Sequence, residues 1–128
     1  MIRNLQPTDR EAYSDLKFKC FGYRAVPEFT EFSCQRTFAW IEDNKVVGFC
    51  KWIPMGNIFN RHAVIGTLMV DPDYRSRGIG RALVAATVTH ALGYYKHIEL
   101  RDMSEFKQSS KIAKALGFVE KHRREWWI

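Results

Sequence analysis

Hydrophobic and polar positions alternate along this 128-residue chain, and the period of the alternation changes between that of strands and that of helices. Ile2 to Leu5 predicts a short first strand. The Thr8-x-x-Glu11 spacing is typical of a capping box and predicts a helix that begins at Thr8. The apolar residues of this helix recur at helical spacing and form one face: Ala12, Tyr13, Leu16 and Cys20. The helix should end near Phe21-Gly22.

The next 30 residues favour a hairpin after an ambiguous segment. Residues 22–36 contain two helix breakers and are compatible with a short second helix over residues 28–36. Asp43-Asn44 suits positive φ angles, so residues 37–42 and 45–53 should pair as antiparallel strands. We expect Phe38 and Trp40 to share one face of the first strand. Val47, Phe49 and Ile53 should share one face of the second.

Residues 62–70 are apolar on both alternating sets, which predicts a strand buried on both faces. The two sets are Val64, Leu68 and Val70 on one face, and Ala63, Ile65 and Met69 on the other. A helix should run from about Gly78 to Gly93, with Gly93 as its C′ residue. Its apolar stripe comprises Leu83, Val84, Val88, Ala91 and Leu92.

The C-terminal third predicts a strand over residues 95–101, a helix capped by Ser104 and ended by Gly117, and one or two closing strands over residues 118–128. The order of elements implies an α/β fold with a mixed central β-sheet flanked by helices. The length suits a single domain over residues 1–128.

A basic glycine loop opens directly into the long helix, after the turn Asp71-Pro72-Asp73. Gly78 and Gly80 leave the backbone open, so several N–H groups can converge on an anion at the positive end of the helix dipole. Arg75, Arg77 and Arg81 add positive charge. The dinucleotide pattern G-x-G-x-x-G and the Walker loop are both absent.

The lengths of the apolar stretches and the N-terminal residues indicate which class of protein to expect. The apolar stretches fall well short of the ~20 residues that a membrane span needs, and no secretory signal is visible, so we expect a soluble cytoplasmic protein. Cys20, Cys34 and Cys50 fit neither a disulfide framework nor a zinc site and are interpreted as buried, reduced thiols.

The net charge of +6 is concentrated near the C-terminus, where residues 107–128 carry six Lys or Arg against two Glu. Such a segment raises the hypothesis of nucleic-acid binding. No aromatic interleaving indicates base stacking, so a solvated basic face that helps to hold an anionic cofactor is the favoured interpretation.

Arg75-x-x-Gly78-x-Gly80 resembles the acetyl-CoA pyrophosphate signature, R/Q-x-x-G-x-G/A, of the GNAT superfamily of N-acetyltransferases. The element order and the sequence Leu116-Gly117-Phe118 are also similar to that family. The resemblance implies a GNAT-like sheet splayed between strands 4 and 5, with pantetheine on the backbone of Leu68, Met69 and Val70. The pyrophosphate would lie on the backbone of Arg75, Ser76, Arg77, Gly78, Ile79, Gly80 and Arg81.

The resemblance further implies acetyl transfer from acetyl-CoA to a primary amine of a small-molecule or protein acceptor, through a direct ternary complex. The tyrosine that reprotonates the thiolate in many members is replaced by Ala113, and the asparagine that often begins the last helix is replaced by Phe106. Ser110 is one substitute for the tyrosine, with Tyr94 and Tyr95 as alternatives. Glu42, His62 and Glu99 are the candidate bases.

Two further hypotheses remain open at this stage. A CoA-binding or interaction protein of the same fold would need no catalytic acid, and the missing tyrosine favours it. Trp126 and Trp127 should point to opposite faces of a strand, so one of them can meet a second subunit in a homodimer.

Overall fold

The computed structural model describes residues 1–24, 31–101, 109–122 and 125–127. The described residues form seven strands: β1 (Ile2–Asn4), β2 (Thr37–Glu42), β3 (Lys45–Met55), β4 (His62–Val70), β5 (Ile98–Arg101), β6 (Val119–His122) and β7 (Glu125–Trp127). The α-helices are α1 (Arg10–Phe21), α2 (Glu31–Gln35), α3 (Ile79–Leu92) and α4 (Ser109–Ala115).

All seven strands form one sheet in the order β1-β2-β3-β4-β5-β7-β6. The β4–β5 pair is parallel and every other pair is antiparallel. A parallel pair needs a crossover, and α3 supplies it. The predicted α/β class with a mixed sheet is therefore confirmed.

Two hydrophobic clusters cover the two faces of this sheet. On the α3 face, Leu83, Val84 and Ala91 pack against β3, β4 and β5, and α4 adds Ile112 and Ala113. On the α1 face, Tyr13 and Leu16 pack against Leu5, Ala39, Phe49 and Met69. Because the two sides of β4 are buried by different helices, β4 lies at the centre of the molecule, as its sequence predicts.

The first helix begins later than the capping-box spacing predicts. A 3-10 turn occupies Pro7–Asp9, and the α-helix starts at Arg10. The Asp9 carboxylate accepts the Gln6 N–H at 2.8 Å and a two-pronged hydrogen bond from Arg3. Proline and aspartate therefore set the turn, and the predicted start at Thr8 is wrong. The helix does end at Phe21, before Gly22 with φ +82°.

The β2–β3 hairpin turns at Asp43 and Asn44, whose φ angles are +52° and +59° as predicted. The predicted common face of Val47 and Phe49 is wrong. Trp40 pairs with Gly48 and Ile41 pairs with Val46, so Val47 is an extra residue that bulges out of register. Val47 consequently joins the α3-face core, while Phe49 packs on the α1 face.

A second bulge changes the faces of β4. Cys50 and Trp52 of β3, two residues apart, pair with Leu68 and Ile65 of β4, three residues apart, so Gly66 and Thr67 together oppose Lys51. The two predicted alternating sets of β4 are therefore wrong. The residues of β4 on the α3 face are Ala63 and Ile65 before the bulge, and Leu68 and Val70 after it.

The remaining elements follow the predicted order with different ends. Leu92 is 46% exposed, and fully buried Thr87 lies in the stripe of α3 instead. Gly93 follows α3 with φ −70°, so it is not a left-handed C′ residue. The fifth strand begins at Ile98, after a turn at Gly93 and Tyr94.

Gly117 ends α4 with φ +86°, and two closing strands follow. The predicted cap at Ser104 and Phe106 lie outside the described residues. Of the three free cysteines, Cys50 is buried, whereas Cys20 and Cys34 are only half-buried. Burial raises the pKa of the Cys50 thiol to about 12. Among the described residues, no helix has the length and apolar character needed to cross a bilayer.

Candidate active site

The turn between β4 and α3 is held by the Asp71 side chain. Asp71 Oδ1 accepts the Asp73 N–H at 3.0 Å, and the Asp71 carbonyl accepts the Tyr74 N–H. Buried Tyr74 donates its hydroxyl to Asp43 at 2.9 Å, which links this turn to the β2–β3 hairpin. Tyr74 therefore has a structural role in this turn.

The loop that follows has an unusual backbone. Ser76 and Gly78 have φ angles of +64° and +81°, and both are exposed. Positive φ is uncommon for serine and ordinary for glycine. The two left-handed residues bend the chain so that it enters α3 directly after Gly78.

The first turn of α3 leaves backbone donors at this loop. The first N–H that bonds back along the chain is that of Ala82, which donates to the Gly78 carbonyl at 3.0 Å. The N–H groups of Ile79, Gly80 and Arg81 come before that bond, at the positive end of the helix dipole. This arrangement fits an anion such as a pyrophosphate.

Two arginine side chains of the loop contact neighbouring residues and do not occupy the space in front of the loop backbone. Arg75 Nε donates to the Val70 carbonyl at 3.1 Å. The Arg77 guanidinium lies 5.0 Å from the centre of the Tyr74 ring and 3.5 Å from Glu42 Oε2. Both cations still keep the loop electropositive.

The C-terminal end of α1 is tied to the same turn. Lys19 Nζ lies 2.8 Å from Asp71 Oδ1 and 2.9 Å from Asp73 Oδ2. Burial tends to raise the pKa of Asp71, but the hydrogen bonds from Lys19 and from the Asp73 N–H outweigh it and lower that pKa. The Asp71 carboxylate is therefore charged when it holds the turn.

Strands β4 and β5 separate beside this loop. Their pairing covers only Ala63, Val64 and Ile65 of β4, opposite residues 98–100. Strand β4 continues to Val70 with no partner on that side among the described residues. The gap opens at the Gly66–Thr67 bulge, so the predicted splay between strands 4 and 5 is confirmed.

The backbone of β4 presents alternate residues to the gap. The Asp71 N–H donates to the Val47 carbonyl, and Met69 is paired with Phe49, so both bond toward β3. Because successive residues of a strand point their backbone groups in opposite directions, Leu68 and Val70 point toward the gap. The Val70 carbonyl is bound by Arg75, which leaves the Leu68 groups and the Val70 N–H at the gap.

The three candidate bases lie in two different places. Glu42 sits beside Arg77 at the loop, on the end of β2, rather than at the bulge. His62 Nε2 lies 3.3 Å from Glu99 Oε2, and both side chains are buried. His62 Nδ1 is 3.1 Å from the Asn60 carbonyl, and its ring lies 4.9 Å from that of Trp127.

The His62–Glu99 pair lies on the α1 face, because Glu99 is opposite Val64 and Val64 alternates with Ala63 and Ile65 of the α3-face core. Glu99, level with Val64, is two to three residues from the bulge, or roughly 7–10 Å, and His62 is four to five residues from it, or roughly 13–17 Å at the rise of a strand. The structure therefore brings His62 and Glu99 together and separates them from Glu42.

The candidate acids are placed less favourably. Ser110 is in α4, but its side chain lies outside the described residues. Ala113, where the resemblance would place a tyrosine, is fully buried in the α3-face core. Tyr94 and Tyr95 follow the C-terminal end of α3 and contact the Trp52 ring, tilted and edge-on respectively, at the opposite end of that helix from the glycine loop.

Two groups at the bulge were not singled out by sequence reasoning. The Tyr13 hydroxyl of α1 hydrogen-bonds to Thr67, and burial raises the pKa of the Tyr13 hydroxyl. The Lys51 side chain crosses Gly66, whose Cβ, if present, would lie 3.8 Å from Lys51 Cγ. A lysine inside an otherwise apolar strand was the available signal, but only the bulge places it at this site.

A family model described as "Acetyltransferase (GNAT) family" matches residues 3–118. An N-acetyltransferase of Methanocaldococcus jannaschii is 33% identical over 146 aligned positions, covering 99% of this chain. The chain spans 64% of that relative's length.

Two solved structures show the same fold. An acetyltransferase of the GNAT family from Staphylococcus aureus has a TM-score of 0.76 at 17% identity, covering 99% of this chain and 96% of its own. Aminoglycoside N-acetyltransferase AAC(6')-Iy, in complex with CoA, has a TM-score of 0.75 at 22% identity, covering 96% and 94%. With the family model matching most of its length, the chain belongs to the GNAT acetyltransferase family.

Proposed function

We propose that this protein transfers the acetyl group of acetyl-CoA to a primary amine in a direct ternary complex. One observation carries the proposal: a glycine loop at the start of α3 continues into an unpaired edge of β4. The loop offers backbone donors for a pyrophosphate. The strand edge offers Leu68 and Val70 for the pantetheine arm, which acts there as an added strand.

Each residue of the loop has a role in this proposal. The backbone of residues 75–81 surrounds the pyrophosphate, and Gly78 supplies the left-handed conformation that the loop needs. Met69 fixes the position of β4 by pairing with Phe49. The thioester supplies the activated acetyl group, and the bulge at Gly66 and Thr67 marks the end of the edge where it would lie.

The acceptor reaches the gap from the α1 face, because Gly66, Thr67 and the opposing Lys51 are only half-buried there, whereas α3 and α4 cover the other face of β4 and β5. Attack needs a neutral amine, and an unperturbed lysine amine, with a pKa near 10.4, is almost wholly protonated at neutral pH. We infer that the His62–Glu99 pair takes up the proton through water, since it lies on that face. Glu42 braces Arg77 instead.

Isothermal titration calorimetry of a Gly80→Asp variant with acetyl-CoA tests the cofactor site. Gly80 is the second residue of α3, where an aspartate suits the helix dipole but places a negative charge beside the phosphates. We expect binding to fall below detection while the far-ultraviolet circular dichroism is retained. Gly80→Ala serves as the uncharged control, and undiminished affinity in Gly80→Asp would contradict the assignment.

A CoA-binding protein without catalysis is the second candidate. It is favoured by Ala113, which is packed in the core and offers no proton to a departing thiolate. Release of free thiol from acetyl-CoA, measured with a panel of amines, separates the two functions. Amine-dependent release supports the transferase, and tight acetyl-CoA binding with no release for any amine supports the second candidate.

A further inference from the structure

Lys51 is placed where an acceptor would meet the thioester. Its neighbours Cys50 and Trp52 both belong to the α3-face core, so the Lys51 side chain is directed to the α1 face. It is the single residue of β3 opposite the two bulged residues of β4. Gly66 has no side chain, and the aliphatic stem of Lys51 occupies that space, with Cε 3.9 Å from the position of a Cβ.

The surroundings of Lys51 are positively charged. Burial lowers the pKa of Lys51, and the nearby charges of Lys17 and Arg36 lower it further. Lys17 Nζ lies 5.8 Å from the Tyr13 ring and 5.5 Å from the Tyr23 ring. No carboxylate comes within ion-pair distance of Lys51 or Lys17 among the described residues.

Burying the Lys51 ammonium near the charge of Lys17 opposes folding, since the Lys51 ammonium loses hydration and is repelled by Lys17. An anionic group that binds between them relieves both penalties. Across β4 on the same face, the carboxylate of Glu99 has the opposite charge and is held by His62. Lys51 and Glu99 are two strand spacings apart across the sheet, about 10 Å, and are offset by two to three residues along it, roughly 7–10 Å, so the face is positive on one side and negative on the other.

We propose that the acceptor is an amine with a carboxylate close to it, whose carboxylate binds Lys51 and Lys17 while its amine is directed to the thioester beside Glu99. The inference rests on the proposed acetyl transfer and specifies its substrate class. The carboxylate can come from a free amino acid or from an acidic residue near the amino terminus of a peptide.

Paired acceptors that differ only in charge test this inference. The amino-acid arm compares L-alanine with L-alaninamide and L-glutamate with L-glutamine, and the peptide arm compares tripeptides with aspartate or asparagine in second position. In the wild-type protein, we expect kcat/KM for the acid to exceed that for the amide by about tenfold in at least one arm, as for a hydrogen bond between charged groups. The arm that shows the preference identifies the source of the carboxylate.

Lys51→Met keeps the aliphatic stem and removes the charge, so it should abolish most of this preference by lowering kcat/KM for the acids far more than for the amides. Lys51→Arg should retain the preference. Lys96→Met, at an exposed site after α3, is the matched control and should change neither value. If Lys51 had a purely structural role, Lys51→Met would instead lower kcat/KM equally for the acid and the amide of each pair.

The inference is overturned if acids and amides react equally in the wild type, or if Lys51→Met keeps the preference. It is also overturned if mass spectrometry finds Lys51 itself acetylated. Calorimetric titration of the same amines into the CoA-saturated protein is independent of turnover. Lys51-dependent binding of the acids with no acetylation of any amine would overturn the proposed function and leave only a carboxylate-binding site at Lys51.

Discussion

At the level of the single residue, Gly78 and Gly117 resemble each other in backbone conformation and in the free space around them. Their φ angles are +81° and +86°, and a Cβ added at either would meet no atom within 4 Å. Alanine at either site therefore costs only the strain of a left-handed backbone, about 1 kcal/mol of unfolding free energy. The two differ in position, since Gly78 precedes α3 at the proposed pyrophosphate loop and Gly117 ends α4.

We expect Gly78→Ala to weaken acetyl-CoA binding, because relief of the strain moves the N–H groups of the loop away from the phosphates. Gly117→Ala should lose the same stability with no change in affinity. Denaturant unfolding and calorimetry on both variants measure the two quantities. Equal affinities for the two variants would show that the loop does not depend on the conformation of Gly78.

At the level of the element, β4 has unequal edges. Its β3 edge is paired along the whole strand apart from the bulge, whereas its β5 edge is paired only at residues 63–65. The amides of Leu68 and Val70 should therefore exchange with solvent rapidly in the free protein, and that of Met69 slowly. Acetyl-CoA should slow exchange at Leu68 and Val70 and leave Met69 unchanged.

Hydrogen exchange followed by nuclear magnetic resonance resolves these three amides individually. Uniform protection of all three in the free protein would mean that the edge of β4 is covered. Protection of Met69 alone on adding acetyl-CoA would contradict the proposed position of the pantetheine arm.

At the level of the whole molecule, two buried carboxylates make stability depend on pH. Burial tends to raise the pKa of Asp9, but the hydrogen bonds from Arg3 and the Gln6 N–H outweigh it and lower that pKa below its ordinary value of 3.8. The hydrogen bond from Lys19 lowers the pKa of Asp71 in the same way, against the effect of burial. A lowered folded-state pKa contributes stability above the unfolded value, and this contribution is lost as the pH falls through the folded value.

The free energy of unfolding should therefore decrease as the pH is lowered from 6 to 3. Arg3→Met removes the partner of Asp9, so it should cost about 2 kcal/mol at pH 7 and much less at pH 3. Urea unfolding across this range measures both values. Arg61→Met, at an exposed site, is the control, and an equal loss for Arg3→Met at both pH values would contradict the linkage.

Local patterns in the sequence predicted most of the elements because those elements are set by neighbouring residues. The positive φ angles of Asp43 and Asn44, the end of α1 at Gly22 and the two-sided burial of β4 are of this kind. The glycine spacing before α3 also predicted the loop with its free N–H groups. The predictions at Thr8 and Gly93 were wrong, because proline at position 7 changed the start of α1 and the turn after α3 changed the end of that helix.

By itself, the sequence determined the family, the order of the elements and the loop at Gly78 and Gly80. The tertiary structure decided which side chains share a face. A bulge adds one residue to a strand and reverses every face beyond it, and no local pattern records where the partner strand lacks a matching residue. The bulge at Gly66 and Thr67 therefore placed the Lys51 side chain over Gly66, and the splay beside it left Leu68 and Val70 without a partner strand on the β5 side among the described residues.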